Sequence, residues 1–341
     1  MNHWEFINLY IREEAAMARL AAPFPSPARL SNPAAPFRDM KQPILSPTEP
    51  PMTLIGPASH SYFSQRLKLH YADWGNEDKP PLILLHGGKD HCRNWDWTAQ
   101  ALRDDWHIIC PDVRGHGDSQ WSTDGHYSNM AMVTDLAQLI HQLDLSPVTI
   151  VAHSMGGNIA LRYTGLYPDT VRKLVAIEGL GPSPAMLAER DKTGPLERVR
   201  KSIEEKRNAA GRQVKRYPTF EDALGRMQDA NKHLSDEQAR HLTTHAVIRN
   251  EDGSYSWKFD PYVQHWDSID LSQDAIHELW GNITCPTQLH YGADSWASNP
   301  EKDGRMQYFG DNVTVKEFAK AGHWLHHDQF EEFVGTLRDF L

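Results

Sequence analysis

The stretch that most constrains this chain is Thr149-Ile150-Val151-Ala152-His153-Ser154-Met155-Gly156-Gly157-Asn158-Ile159-Ala160. An apolar, β-branched run stops at Ser154, and a helix-forming run, Ile159-Ala160-Leu161-Arg162-Tyr163, follows at once. A strand that turns this sharply into a helix needs small residues on both sides of its apex, because bulkier side chains would clash there. Ala152 and Gly156 supply them. The pattern is that of a nucleophile elbow with Ser154 at the tip; Ala152 stands where a glycine is usual and keeps the side chain small. A glycine-rich strand–helix turn with an incidental serine has the same local pattern, so residues elsewhere in the chain decide between the two.

Composition excludes several classes. The 341 residues are 40% hydrophobic, enough for one sizeable core. A net charge of −10 argues against nucleic acid as the main partner, which would want a basic face. The cysteines, Cys92, Cys110 and Cys285, are widely spaced and odd in number. They form no zinc or CxxC pattern, which fits a reduced, cytoplasmic setting. No apolar run approaches the length of a membrane span, and no secretory signal is expected at the N-terminus. His326 and His327 are adjacent but have no partner at ligand spacing, so neither a metal nor another cofactor is expected. The expected partner is a small-molecule substrate; nothing in the sequence bears on oligomeric state.

The chain divides by rhythm. Residues 1–51 carry a short helical pattern and then dense proline, which blocks helix and sheet bonding alike, so an extended or disordered lead-in is expected. From 52 to 181, strand patterns at 61–65, 67–73, 82–85, 107–110, 148–152 and 173–177 alternate with helix patterns at 94–102, 130–143 and 155–166. Such alternation implies a mostly parallel sheet of eight strands flanked by helices, once two later strands are added. Between 182 and 282 the rhythm breaks into helical patterns without a clear sheet strand. Residues 190–216 hold ten Lys or Arg against four Asp or Glu, the pattern of a solvated face. Ser235-Asp236-Glu237-Gln238 reads as a capping box that starts a helix. Tyr255, Trp257, Phe259, Tyr262 and Trp266 suit a small core of this insertion. From 283 to 341 the sheet resumes with strands at 286–291 and 313–318 and helices at 300–309 and 330–341.

In parallel α/β sheets the functional loops lie beyond the carboxyl ends of the strands. Four such loops carry His86-Gly87-Gly88, Ser154, Asp294 and His323. A serine hydroxyl is a poor nucleophile at neutral pH without an adjacent base, and histidine suits that work. The histidine in turn needs a carboxylate to fix its tautomer. Two carboxylates compete. Asp294 follows Gly292 in a polar turn, and Ser-Asp-His is the usual chain order; Glu178, ending the strand before the insertion, is the alternative.

These motifs together resemble the α/β-hydrolase fold family over roughly residues 55–341. His86-Gly87-Gly88 resembles its oxyanion loop, Pro111 to Ser119 its PDxRGHGxS signature, 152–156 its elbow, Gly292-Ala293-Asp294 its acid turn and Gly322-His323-Trp324 its histidine loop. The resemblance implies that Ser154 attacks a carbonyl, that His323 shuttles its proton, that Asp294 orients His323, and that the backbone N–H groups of Met155 and Gly88 hold the oxyanion. Residues 182–282 would form a lid. His153 would support the elbow, and Trp95 and Trp97 either wall the acyl pocket or pack their helix. The implied activity is hydrolysis of a small, apolar or aromatic carboxylic ester or lactone. C–C bond hydrolysis of vinylogous diketones and a non-catalytic ligand-binding role are the alternatives. A serine at the elbow disfavours epoxide hydrolases and haloalkane dehalogenases, which use aspartate there.

Overall fold

A computed structural model describes residues 56–211, 213–264 and 270–341; the expectations for residues 1–51 and for Trp266 lie outside the described residues. Continuous apolar runs become buried strands. Leu82, Ile83, Leu84, Ile108, Ile109, Ile150 and Val151 are fully buried, as expected of strands covered on both faces. The strands are β1 (Ala58–Ser64), β2 (Leu67–Asp73), β3 (Pro81–Leu85), β4 (His107–Pro111), β5 (Val148–His153), β6 (Val171–Ile177), β7 (Val247–Arg249), β8 (Tyr255–Trp257), β9 (Thr287–Gly292) and β10 (Val313–Phe318). Eight of them form one sheet in the order β1-β2-β4-β3-β5-β6-β9-β10. β1 and β2 pair antiparallel, as do β2 and β4; the remaining neighbours are parallel.

Alternation along each strand divides the core between the two faces. Ile83, Leu85, Ile109, Ile150, Ala152, Leu174 and Ala176 meet one apolar cluster; Leu82, Leu84, Ile108, Cys110, Val151, Val175 and Ile177 meet the other. The helices of the sheet layers are α1 (Asp96–Leu102), α2 (Asn129–Gln142) and α3 (Met155–Leu166). Met132, Leu136 and Ile159 of α2 and α3 join the first cluster, and Ala99 and Leu102 of α1 join the second.

Between β6 and β9 the chain leaves the sheet. The segment contains α4 (Pro184–Asp191), α5 (Pro195–Ala209), α6 (Phe220–Ala230), α7 (Asp236–Ala246) and α8 (Gln273–Gly281). The capping box expected at Ser235 is present, with both reciprocal bonds to Gln238 made, and a second one joins Thr219 and Asp222. Contrary to the strandless expectation, β7 and β8 form a separate two-stranded hairpin outside the main sheet. Its core is small: Tyr217, Ala223 and Val247, with Phe220, Tyr255 and Trp257 against them.

After β9 the helix expected over 300–309 is broken. α9 (Pro300–Asp303) stops at Gly304, whose φ of 84° is left-handed, and a 3₁₀ turn follows at Arg305–Tyr308. Glycine ends a helix this way because it has no Cβ to clash. α10 (Leu325–Asp328) and α11 (Phe330–Phe340) close the chain, and Phe333, Val334 and Leu337 of α11 bury against the second face. No described helix is long and apolar enough to cross a membrane.

Candidate active site

The ends of β3, β5, β6 and β9 and the loop after β10 converge on Ser154. β5 ends at His153, and Ser154 turns the chain with φ 50° and ψ −115°. Such a backbone costs about 1–3 kcal/mol and persists only where its surroundings enforce it. Here the Ser154 N–H donates to Ile177 O at 2.7 Å, holding the turn to β6. A Cβ on Gly156 would lie 2.5 Å from His86 O and 2.7 Å from Leu85 O, and one on Gly157 would lie 2.8 Å from Gly179 Cα. Only glycine lets α3 start this close to its neighbours.

His323 lies across from the elbow. Its Nε2 is 3.0 Å from Ser154 Oγ. Its Nδ1 is hydrogen-bonded to Glu178 Oε2. The expectation that Asp294 holds His323 is therefore corrected: the carboxylate on the imidazole belongs to Glu178. The side chain of Glu178 is fully buried, and the residue turns with φ 49° immediately after β6. Its Oε1 accepts the Gly292 N–H at 2.9 Å and its Oε2 accepts the Ser295 hydroxyl at 2.7 Å. A buried carboxylate requires such donors, because an unpaired charge away from water is costly. Asp294 is exposed, and its N–H donates to Ala321 O at 2.9 Å. The turn at Gly292 still serves the site. A Cβ there would collide with the carbonyl oxygens of Ala321 and Gly322, so the glycine lets the loop bearing His323 approach.

The neighbouring loops are tied together by neutral or ion-paired groups. The His86 Nδ1–H donates to Gly87 O at 2.7 Å, and Val113 N–H donates to His86 Nε2 at 3.0 Å. Burial pushes His86 down to about 4, so it is neutral near pH 7. Asp112 accepts from Cys92 N–H at 2.7 Å, Asp118 N–H at 2.9 Å and the His70 ring at 2.7 Å. Burial alone would raise its pKa; the bond from His70 and the nearby His86 more than offset that and hold it well below the carboxylate range. Arg114 forks onto buried Asp135 with distances of 2.6 and 2.7 Å. The signature loop is thus built as a scaffold.

Met155 opens α3, so its backbone N–H has no intrahelical acceptor. Gly88 lies beside it: a Cβ on Gly88 would meet nothing nearer than Met155 Sδ at 3.8 Å. The crowded glycine is Gly87, where a Cβ would lie 2.7 Å from His153 Nδ1.

His153 is buried beneath the catalytic candidates. Its Nε2–H donates to His323 O at 2.9 Å, and its ring centroid is 4.7 Å from that of His323. Burial, then the His323 charge, drives its pKa well down. Trp95 is not a pocket wall: it is fully buried in the second core and stacks on His326 at 4.8 Å. Trp97 is half-buried between His241 of α7 and His327. Sequence reasoning overlooked Ser295 and Trp296. The latter is 70% exposed with its ring 4.8 Å from His323; polar turn composition was the only signal for either. A groove of about 380 Å³ lined by Asp118, Trp121, Arg216, Trp257 and Lys258 lies apart from Ser154, Glu178 and His323, none of which lines it.

The sequence profile of a family described as alpha/beta hydrolase fold matches residues 80–330. The chain belongs to the α/β-hydrolase fold family. Among relatives in this α/β-hydrolase family, a serine hydrolase-like protein of Danio rerio is 31% identical, covering 79% of this chain and 83% of its own. Esterase Rv0045c of Mycobacterium tuberculosis is 27% identical, covering 79% of this chain and 84% of its own. A solved thioesterase domain from a curacin biosynthetic pathway superposes with a TM-score of 0.73 at 20% identity, covering 83% of this chain and 99% of that one; at this identity it speaks for the α/β-hydrolase fold alone. The relatives support a hydrolase.

Proposed function

We propose that the protein is a serine hydrolase that cleaves a small carboxylic ester or lactone through an acyl-enzyme, with Ser154 as nucleophile, His323 as base and acid, and Glu178 as the carboxylate that orients His323. The observation that carries this reading is the unbroken chain from Ser154 Oγ through the two ring nitrogens of His323 to a buried carboxylate. In the first half-reaction His323 Nε2 takes the proton of Ser154 Oγ as that oxygen attacks the carbonyl carbon. Glu178 keeps Nδ1 protonated and stabilises the imidazolium that forms. The N–H groups of Met155 and Gly88 receive the developing oxyanion. The intermediate collapses, the alkoxide leaves with the proton from His323, and an acyl-Ser154 ester remains. Water, deprotonated by His323, then releases the acid and restores Ser154.

Residues 182–282 act as a lid in this reading, supported by the bond from His91 to Leu242 O at 3.0 Å and by Tyr127 Oη donating to Asp260 at 2.5 Å. The exposed Trp296 beside His323 supports an apolar or aromatic substrate. A fluorophosphonate probe tests the reading. Wild-type protein is expected to be labelled at Ser154 and to turn over short p-nitrophenyl esters; absence of labelling in folded protein sinks it. Faster turnover of a dienone acid than of any ester would instead favour C–C bond hydrolysis.

A further inference from the structure

Away from Ser154, three metal-ligating side chains from two different layers converge. α7 carries His241 and His245, four residues apart and so on one helical face. Against them sits Asp96, the first residue of α1, buried at 4% exposure. The His241 and His245 rings are 4.7 Å apart. One ligand atom from each of the three residues lies within 4.8 Å of the other two. His241 Nε2 lies 3.0 Å from Asp96 Oδ2, so the imidazole already pairs with the carboxylate.

The cluster is already organised around a cation. Arg93 Nε lies 2.8 Å from both carboxylate oxygens of Asp96, its Nη2 is 2.6 Å from Oδ2, and its Nη1 is 3.4 Å from His245 Nδ1. The guanidinium therefore bridges carboxylate and imidazole, the position a metal ion would take. Its side chain is 28% exposed, which leaves it a route to solvent. α7 thus presents two histidines to one carboxylate of α1. Two at helical spacing, both facing the same carboxylate, are what a chelating site needs.

We propose that Asp96, His241 and His245 bind a divalent transition-metal ion, with Zn²⁺ as the best fit, which displaces the Arg93 guanidinium and fastens α7 to the sheet layer. Two imidazoles and one carboxylate suit Zn²⁺, Co²⁺ or Ni²⁺ and not Mg²⁺ or Ca²⁺, which take oxygen donors. Metal–ligand distances of about 2.0–2.2 Å in a tetrahedral site bring ligand atoms to roughly 3.4 Å from one another. The three side chains close that gap by rotamer adjustment, and water fills the fourth position. The ion would sit near the loop of His323: His241 packs on Trp97, and Trp97 meets His327 at 5.5 Å.

The test is calorimetric titration of the full chain with Zn²⁺, alongside the Co²⁺ absorption spectrum and thermal melts with metal or with EDTA. The expected result is one equivalent bound, tetrahedral Co²⁺ bands, and a melting temperature that rises with free metal by mass action. His241→Gln and His245→Gln, which keep side-chain bulk, should each weaken binding by about tenfold or more. Arg93→Gln should strengthen binding, and its metal-free form should melt lower because Asp96 is left buried without its cation. His323→Ala should bind as wild type does. Binding that survives the double substitution of His241 and His245, or that is lost in His323→Ala, overturns the proposal. So does an Arg93→Gln protein that binds no metal.

Discussion

Two helices of similar length show how differently the two parts of this molecule are constrained. α3 buries ten of its twelve residues between the sheet and the helices α2 and α8. α5 buries only Ala209, and leaves Leu196 80% and Ile203 52% exposed. In α3 nearly every residue is fixed by its surroundings, down to Gly156 and Gly157, where an added Cβ would meet backbone atoms. In α5 local pairs do the work: Arg200 with Glu197 at 2.6 Å and Arg207 with Glu204 at 2.8 Å, each worth about 0.2–0.5 kcal/mol. Chemistry that depends on sub-ångström placement sits on the first kind of element. The second kind is constrained by little outside itself and is free to vary.

The largest effect that sharpens this contrast is at the elbow. Ser154→Ala should lower ester turnover by on the order of 10⁶-fold while leaving the melting temperature nearly unchanged; esterase activity within tenfold of wild type would break the mechanism. Glu178→Gln should cost on the order of 10⁴-fold in kcat, whereas Asp294→Asn, on an exposed side chain, should stay near wild type. Equal losses from both would mean that the Glu178 hydrogen bond does not orient His323.

Stability should follow the buried histidines of the sheet layers. Burial pushes His86 and His91 to about 4 and His116, His290 and His327 to about 3. Unfolded, these rings titrate near about 6.5. Below that pH the unfolded chain binds more protons, so stability is fully present above about pH 6.5 and is lost as pH falls toward about 4. Buried Asp90, raised to about 8, acts in the opposite sense, but it is one group against five. Melts between about pH 7 and about pH 5 should therefore show a steep fall; a flat profile would mean that these rings are hydrated in solution.

Gly156→Ala should destabilise by about 1–3 kcal/mol, because its new Cβ meets backbone oxygens that have little room to move. Leu196→Ser, on the exposed face of α5, should change stability by less than about 0.5 kcal/mol. Chemical denaturation of both variants measures the ratio directly, and comparable losses would show that α5 packs against more than it does here.

Much of this was legible along the chain. Apolar run length marks the central strands, where burial on both faces leaves few residue types available, and the more exposed edge strands β1 and β10 are still marked within a few residues. Small residues around Ser154 mark the elbow, and Gly322-His323-Trp324 marks the loop whose histidine meets Ser154. The hairpin β7–β8 was not legible: three-residue strands carry too little periodicity. Trp95 and Trp97 read alike because a tryptophan on a helix looks the same whether it faces a core or a pocket.

What the sequence by itself determined is the strand order along the chain, the serine at the sharp turn, and a histidine loop after the last strand, each fixed by local sterics and hydrophobic period. Which carboxylate meets His323 was decided only in three dimensions. Glu178 and Asp294 both follow strand ends, and the polar turn after Gly292 ranked Asp294 first, whereas the carboxylate on His323 is that of Glu178. β6 and β9 are neighbours in the sheet, so the longer side chain leaving β6 reaches beneath the end of β9, where Gly292 N–H, Ser295 and His323 all donate to it. Asp294 is held at the surface by a backbone bond to Ala321. A buried carboxylate goes where donors converge, and that convergence exists only once the strands are side by side.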